Sequence, residues 1–135
     1  MSDNPLIADL VPTLRYNDAT AAITFLREAF GMTAVMVVPG DGDTVAHAEL
    51  TFGNAMVMLG SNLPEGGGDR LRWPVGGSAL YGVIDGDVDA HCARAVAAGA
   101  TVVLEPKDQD YGGRGYTVRD PEGNLWSFGG YRPKV

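Results

Sequence analysis

A chain of 135 residues and 14.2 kDa is one domain's worth of material, too short for a cofactor domain beside a separate catalytic one. With 45% hydrophobic and 20% charged residues it has the apolar content to build a core, which excludes the disordered class. Seventeen acidic residues against ten basic ones give a net charge of -7, a field that repels phosphate backbones and anionic lipid, so no nucleic acid and no membrane is expected as a partner.

The opening Met1-Ser2-Asp3-Asn4 lacks the basic and apolar blocks of an export signal, and no apolar stretch approaches the ~20 residues that span a bilayer. A cytoplasmic protein is the expectation. Cys92 is the single cysteine, which rules out an internal disulfide or a cysteine-rich metal site.

In chain order, Leu10 to Tyr16 is a short extended run stopped by the helix-capping pair Asn17-Asp18. Ala19, Ala22, Ile23, Leu26 and Phe30 then recur three and four apart, predicting a helix from Ala19 to Phe30 that Gly31 ends. Met32 to Val38 reads as a strand entering the turn-rich Pro39-Gly40-Asp41-Gly42-Asp43. From Val45 to Phe52 the residues alternate, with Ala46, Ala48, Leu50 and Phe52 on one face and Val45, His47, Glu49 and Thr51 on the other. Gly53-Asn54 turns the chain into a further strand, Ala55 to Leu59.

Ser61 to Gly77 holds Pro64, Pro74 and five glycines without apolar periodicity, so it reads as a surface connector. Beyond it the order repeats: a strand at Ala79 to Ile84, a cap at Asp87, a helix from Val88 to Ala98, a stop at Gly99, and strands at Thr101 to Glu105, Gly115 to Arg119 and Leu125 to Phe128. A shift of 69 residues carries Val11 onto Leu80, Asp18 onto Asp87 and Gly60 onto Gly129. The expected fold is therefore α+β, with two tandem βαβββ modules forming a cupped, mainly antiparallel sheet with helices on the outer face. Module one spans about 8–60, the linker about 61–77 and module two about 78–132.

Several residues resemble a known family: Leu14-Arg15-Tyr16-Asn17-Asp18, Ala29-Phe30-Gly31, His47-Ala48-Glu49-Leu50, Asp87-Val88-Asp89-Ala90, Gly112-Gly113-Arg114 and above all Asp120-Pro121-Glu122-Gly123-Asn124-Leu125-Trp126. On these the chain resembles the glyoxalase/bleomycin resistance/dioxygenase superfamily, the vicinal oxygen chelate fold, over nearly its whole length. The resemblance implies a cup-shaped ligand site and a homodimer, since short members often complete their cups across a two-fold axis. Metal-dependent members place His, Glu or Gln on four cup-facing strands, and alignment puts those positions at Val11, Met58, Leu80 and Ser127. Three apolar side chains and one serine cannot hold a hard or borderline cation, so no metal and no cofactor is expected.

The candidate ligand-binding residues are accordingly polar groups and adaptable apolar ones. His47 and Glu49 lie two apart on a strand and so project together, either as a polar anchor or proton relay or as a pair that merely satisfies itself. Arg15 shares strand parity with Val11 and either holds an anionic ligand group or pairs with a carboxylate. Met56, Met58 and Ser127 face the cup by parity. Trp73 and Tyr111 stand on segments that overhang it, with Arg114 close behind. His91 reads as a solvent-facing helix residue, Cys92 as a small buried group, and Trp126 and Phe128 as core. Two functions fit: a metal-independent small-molecule binder of the bleomycin-resistance kind, or a glyoxalase-like lyase, isomerase or dioxygenase with a metal displaced towards His47 and Glu49. A non-catalytic dimeric interaction module is the third.

Overall fold

The structure, a computed structural model, describes residues 8–63 and 73–135. The first seven residues, on which the expectation about export rests, and the centre of the connector with Pro64 lie outside the described residues.

Strand β1 (Thr13–Tyr16) leads into helix α1 (Ala19–Phe30), where the Asp18 carboxylate accepts the Ala21 N–H and so satisfies one of the free donors of the first turn. Gly31 ends the helix in the left-handed region at φ 75°, its N–H turned back to the Arg27 carbonyl. Strands β2 (Thr33–Pro39), β3 (Val45–Phe52) and β4 (Ala55–Ser61) follow, and the sheet order is β1-β4-β3-β2 with only the β1–β4 pair parallel. The second half repeats this. Strand β5 (Ala79–Val83), helix α2 (Val88–Ala97) capped by Asp87, and strands β6 (Thr101–Asp108), β7 (Arg114–Arg119) and β8 (Leu125–Gly129) give the order β5-β8-β7-β6. Even an irregularity is copied: the register slips at Val35 in β2 and again at Val103 in β6.

The chain divides into two compact units in the connector, the first ending at Pro74 and the second opening at Val75, with Glu28–Phe30 belonging to the second. The first buries Leu14, Tyr16, Ile23, Phe25, Leu26, Leu50, Val57 and Leu59. In the second, Phe30 lies 4.6 Å from Phe128 and 5.2 Å from Trp126 between ring centres, and Tyr116 joins the same aromatic cluster. Trp126 and Phe128 are buried, as the alternation of β8 predicts.

Asp120, in the turn between β7 and β8, is buried and organises that turn. Its Oδ1 accepts the N–H groups of Glu122 and Asn124, while Oδ2 accepts Asn124 Nδ2 and Trp126 Nε1. Asn124 in turn accepts the Ser78 N–H ahead of β5. In the Asp-Pro-Glu-Gly-Asn turn one carboxylate thus serves these four donors.

Two sequence expectations are corrected. Val45 does not share the face of His47, Glu49 and Thr51: Val38 pairs with His47 and Pro39 with Val45, so the register slips at Ala46 and the alternation reverses, burying Val45. Nor does His91 face solvent. It stands on the stripe of α2 that buries Val88, Cys92 and Ala95, its ring lies tilted 4.8 Å from that of Phe128, and its Nδ1 shares a hydrogen bond of 2.6 Å with the Tyr116 hydroxyl. Burial, aided by the Arg94 charge, holds the imidazole below its usual 6.5, and burial holds the Tyr116 phenol above its own usual value, so a neutral acceptor meets a retained proton. Proton uptake therefore favours the unfolded chain. This contribution to stability is complete above about pH 6.5 and is lost as pH falls towards the depressed value. A melting-temperature series from neutral to mildly acidic pH should show that decline, and His91→Gln, which keeps an acceptor for Tyr116, should flatten it.

Candidate functional site

In the first unit the residues that alternate with the buried ones form a half-exposed sheet face. Strand register arranges them in cross-strand rows, since paired residues on adjacent strands project to the same side. One row runs Thr13, Met58, Glu49, Met36. Beside it, Arg15 pairs with Gly60, and Val38 with His47. Thr51 and Met56 form a third. His47 Nε2 donates to Glu49 Oε2 at 2.8 Å, the two side chains being 38% and 25% exposed. Trp73 covers the Arg15 guanidinium, whose central carbon is 4.7 Å from the ring centre. Arg15, His47, Glu49, Met56, Met58 and Trp73 thus stand in one unit.

The second unit holds a hollow of about 350 Å³. The corresponding row here runs Tyr81, Ser127, Thr117, Leu104, and Thr117 and Ser127 hydroxyls share a hydrogen bond of 2.7 Å. Tyr81, Leu104, Thr117 and Ser127 line the hollow together with Gln109 and Tyr111. The neighbouring positions on the two central strands are glycines, Gly115 paired with Gly129, and the Tyr81 hydroxyl reaches over Gly129. A Cβ on Gly129 would stand 2.9 Å from the Arg114 carbonyl oxygen and 3.1 Å from Tyr81 Oη, so that position needs glycine. Tyr81 Oη donates to the Tyr131 carbonyl, Tyr131 meets the Tyr111 ring edge-on, and burial with the nearby Tyr111 raises the Tyr81 pKa, keeping it a donor.

Two sequence placements need restating. Leu80 is not the open-face counterpart of Val11: the observed pairing of Tyr81 with Ser127 sets Leu80 beside buried Trp126, and Thr13, which pairs with Met58, corresponds to Tyr81. The slip of one residue moves the position matching Val11 to Ala79. Arg114 is among neither group. Its guanidinium is held by Asp89 at 3.0 and 3.1 Å and by Asp108 at 3.3 Å, which lowers the Asp89 pKa and raises its own. Tyr81, Gln109 and Thr117 were missed in the sequence. For Tyr81 and Thr117 the signal was there, in strand parity with Ser127; Gln109 sits in a loop that parity does not reach.

Residues 8–128 match the family described as the Glyoxalase/Bleomycin resistance protein/Dioxygenase superfamily. The chain belongs to this superfamily. Among its relatives, the uncharacterised protein Mb0911c of Mycobacterium bovis is 38% identical over 123 residues, 89% of this chain and 81% of that one. TioX from Micromonospora sp. ML1 is a solved structure 33% identical, covering 90% of this chain and 97% of its own at a TM-score of 0.74. A lactoylglutathione lyase from Agrobacterium tumefaciens is 25% identical, with 93% and 94% covered and a TM-score of 0.70.

The resemblance puts the superfamily's chelating corners at Val11, Met58 and Ser127, with the fourth shifted by the observed register from Leu80 to Ala79, and such a donor set does not fit a divalent cation, which takes several nitrogen and oxygen ligands. Among the described residues no three His, Cys, Asp or Glu groups are gathered closely enough to hold a metal ion. Among the described residues His47 and Glu49 form a pair without a third His, Cys, Asp or Glu gathered to it. No described helix is long and apolar enough to cross a membrane.

Proposed function

We propose that the protein is a cytoplasmic homodimer that binds a small organic molecule without a metal, as in drug or metabolite sequestration, rather than turning it over. The observation that carries this reading is the hollow of the second unit, whose lining mixes Leu104 and the rings of Tyr81 and Tyr111 with the Thr117 and Ser127 hydroxyls. A wall that combines apolar side chains with fixed hydroxyls, around a few hundred Å³, suits a small organic ligand. Corners of which only Ser127 carries an oxygen donor support metal independence. Dimerisation is supported by exposed apolar side chains on the edge strands, Val35, Met36, Val37 and Val38 of β2 and Val103 and Leu104 of β6.

A thermal-shift screen of a compound library, run with and without EDTA, tests the function. Stabilising compounds should act equally in both conditions. A stoichiometric cation in protein purified without chelators, with turnover that depends on it, would replace this reading with the lyase, isomerase or dioxygenase one that the His47–Glu49 pair favours. Light scattering should give twice the 14.2 kDa chain mass, and Val37→Glu with Leu104→Glu should return the mass to that of one chain.

A further inference from the structure

We infer that the hollow of the second unit is selective for an uncharged ligand, one that presents a carbonyl oxygen to the paired hydroxyls of Thr117 and Ser127. The inference rests on the hollow being the binding site and names the class of molecule it takes. Among the described residues that line the hollow there is no Asp, Glu, Lys, Arg or His, although the chain carries seventeen acidic and ten basic residues. The Tyr81 and Tyr116 phenols, which burial raises above their usual range, keep their protons. The scaffold does not impose this neutrality. By strand register, Arg15, His47 and Glu49 on the half-exposed face of the first unit correspond to Val83, Gly115 and Thr117 in the second. Each ionisable group of that face thus has an uncharged counterpart at the hollow. A carboxylate or an ammonium entering there leaves water without gaining an opposite charge, a cost that a neutral ligand does not meet.

In place of charge, the hollow offers fixed hydrogen-bonding groups. Thr117 Oγ1 and Ser127 Oγ stand 2.7 Å apart, and whichever of them donates, the other keeps its own proton. The pair therefore always holds one O–H in reserve, and among the described residues neither hydroxyl has another partner. An oxygen that already has one partner tolerates a spare lone pair better than a spare proton, so the group this pair calls for is an acceptor. A ketone or amide carbonyl supplies one without bringing a charge. Tyr81 does not compete for it, since its proton is committed to the Tyr131 carbonyl at 2.6 Å. Next to the pair, Gln109 Nε2 donates to the Lys107 carbonyl and lies 3.8 Å from where a Cβ on Gly115 would stand, so its amide overhangs that glycine. Its Oε1 has no partner among the described residues and serves as the acceptor for a donor at the other end of the ligand.

The test is titration of the full chain, followed by nuclear magnetic resonance shifts, with four phenols of similar size. These are 4-hydroxyacetophenone, 4-ethylphenol, which lacks the carbonyl, the anion 4-hydroxybenzoate and the cation 4-hydroxybenzylamine. The ketone should bind about tenfold more tightly than each of the other three, with its shifts on the amides of β5, β7 and β8. Thr117→Val combined with Ser127→Ala removes both hydroxyls at nearly constant volume and should erase the advantage of the ketone over 4-ethylphenol. A charged probe that binds as tightly as the ketone, equal binding of 4-ethylphenol, or an advantage that survives in the double variant overturns the inference and leaves the hollow as a binding site. The same holds if none of the four binds while library compounds stabilise the protein and Ser127→Phe abolishes their effect. If neither probes nor library compounds bind, the hollow itself fails as the site. Should the double variant not fold, the order of the four probes on the unaltered chain decides the matter.

Discussion

Replacing Asp120 by alanine should destabilise the protein by roughly 3–5 kcal/mol, the cost of stripping a buried polar cluster of its central partner. For a domain of this length that is a fall of roughly 10–18 °C in melting temperature. The loss is large because the alanine leaves four donors behind: two backbone N–H groups, Asn124 Nδ2 and Trp126 Nε1. Water cannot readily reach them, since Asn124 and Trp126 are both buried. Asp120→Asn should recover only part of the loss. An amide offers one acceptor atom and one donor group, so whichever way it is turned, its NH₂ confronts two of the four donors. Thermal melts of the two variants, compared with the unaltered chain, check both the size of the effect and the order of the variants.

The Asp120 turn also marks how far local sequence carries. Its residues announce a turn and a family, yet the fourfold acceptor role depends on Trp126 lying back over the turn, which the order of residues does not state. Elements were legible wherever a cap, a stop glycine and an apolar period agreed: α1 runs from Ala19 to Phe30 and β3 from Val45 to Phe52, as the sequence predicts. The duplication was legible for the same reason, because caps and turns recur. What escaped were quantities set between strands. Leu80 was assigned to the open face on a shift of 69 residues, whereas the pairing of Tyr81 with Ser127 needs 68 between β1 and β5. Side chains alternate with period two, so that single residue moves the whole strand to the other face. Val45 fell to the slip at Ala46, which no residue type announces. His91 is a different case: its spacing from Val88 and Ala95 already placed it on the buried stripe, but the exposed-histidine expectation outweighed the period.

Of the candidate ligand residues, those of the first unit gather on one sheet face and Ser127 and Tyr111 line the hollow of the second. The two groups differ in chemistry although the strands that carry them match. Thr13, Met58, Glu49 and Met36 in one unit correspond to Tyr81, Ser127, Thr117 and Leu104 in the other. The first unit has an arginine, a histidine and a glutamate on this face, while the second has hydroxyls, aromatic rings and a pair of glycines. One scaffold thus carries two different linings, one with charged groups and the other with hydroxyls and rings.

The second large effect follows from the position of Ser127 in the middle of its row. Ser127→Phe should abolish binding of any compound that uses the hollow while leaving the fold intact. A phenylalanine there projects into the hollow that Ser127 lines, and it displaces the Thr117 hydrogen bond rather than any core contact. Because the site is half-exposed, its own cost to stability should stay within about 1 kcal/mol. The ligand effect is far larger. A compound present at 100 times its dissociation constant adds about 2.7 kcal/mol to the folded state, a rise of roughly 10 °C in a domain of this size. The variant should show none of that rise at the same concentration, and Thr117→Val, which removes a hydroxyl but no space, should keep part of it. If the rise survives in Ser127→Phe, the compound binds elsewhere, and the hollow between β5, β6, β7 and β8 is not the site.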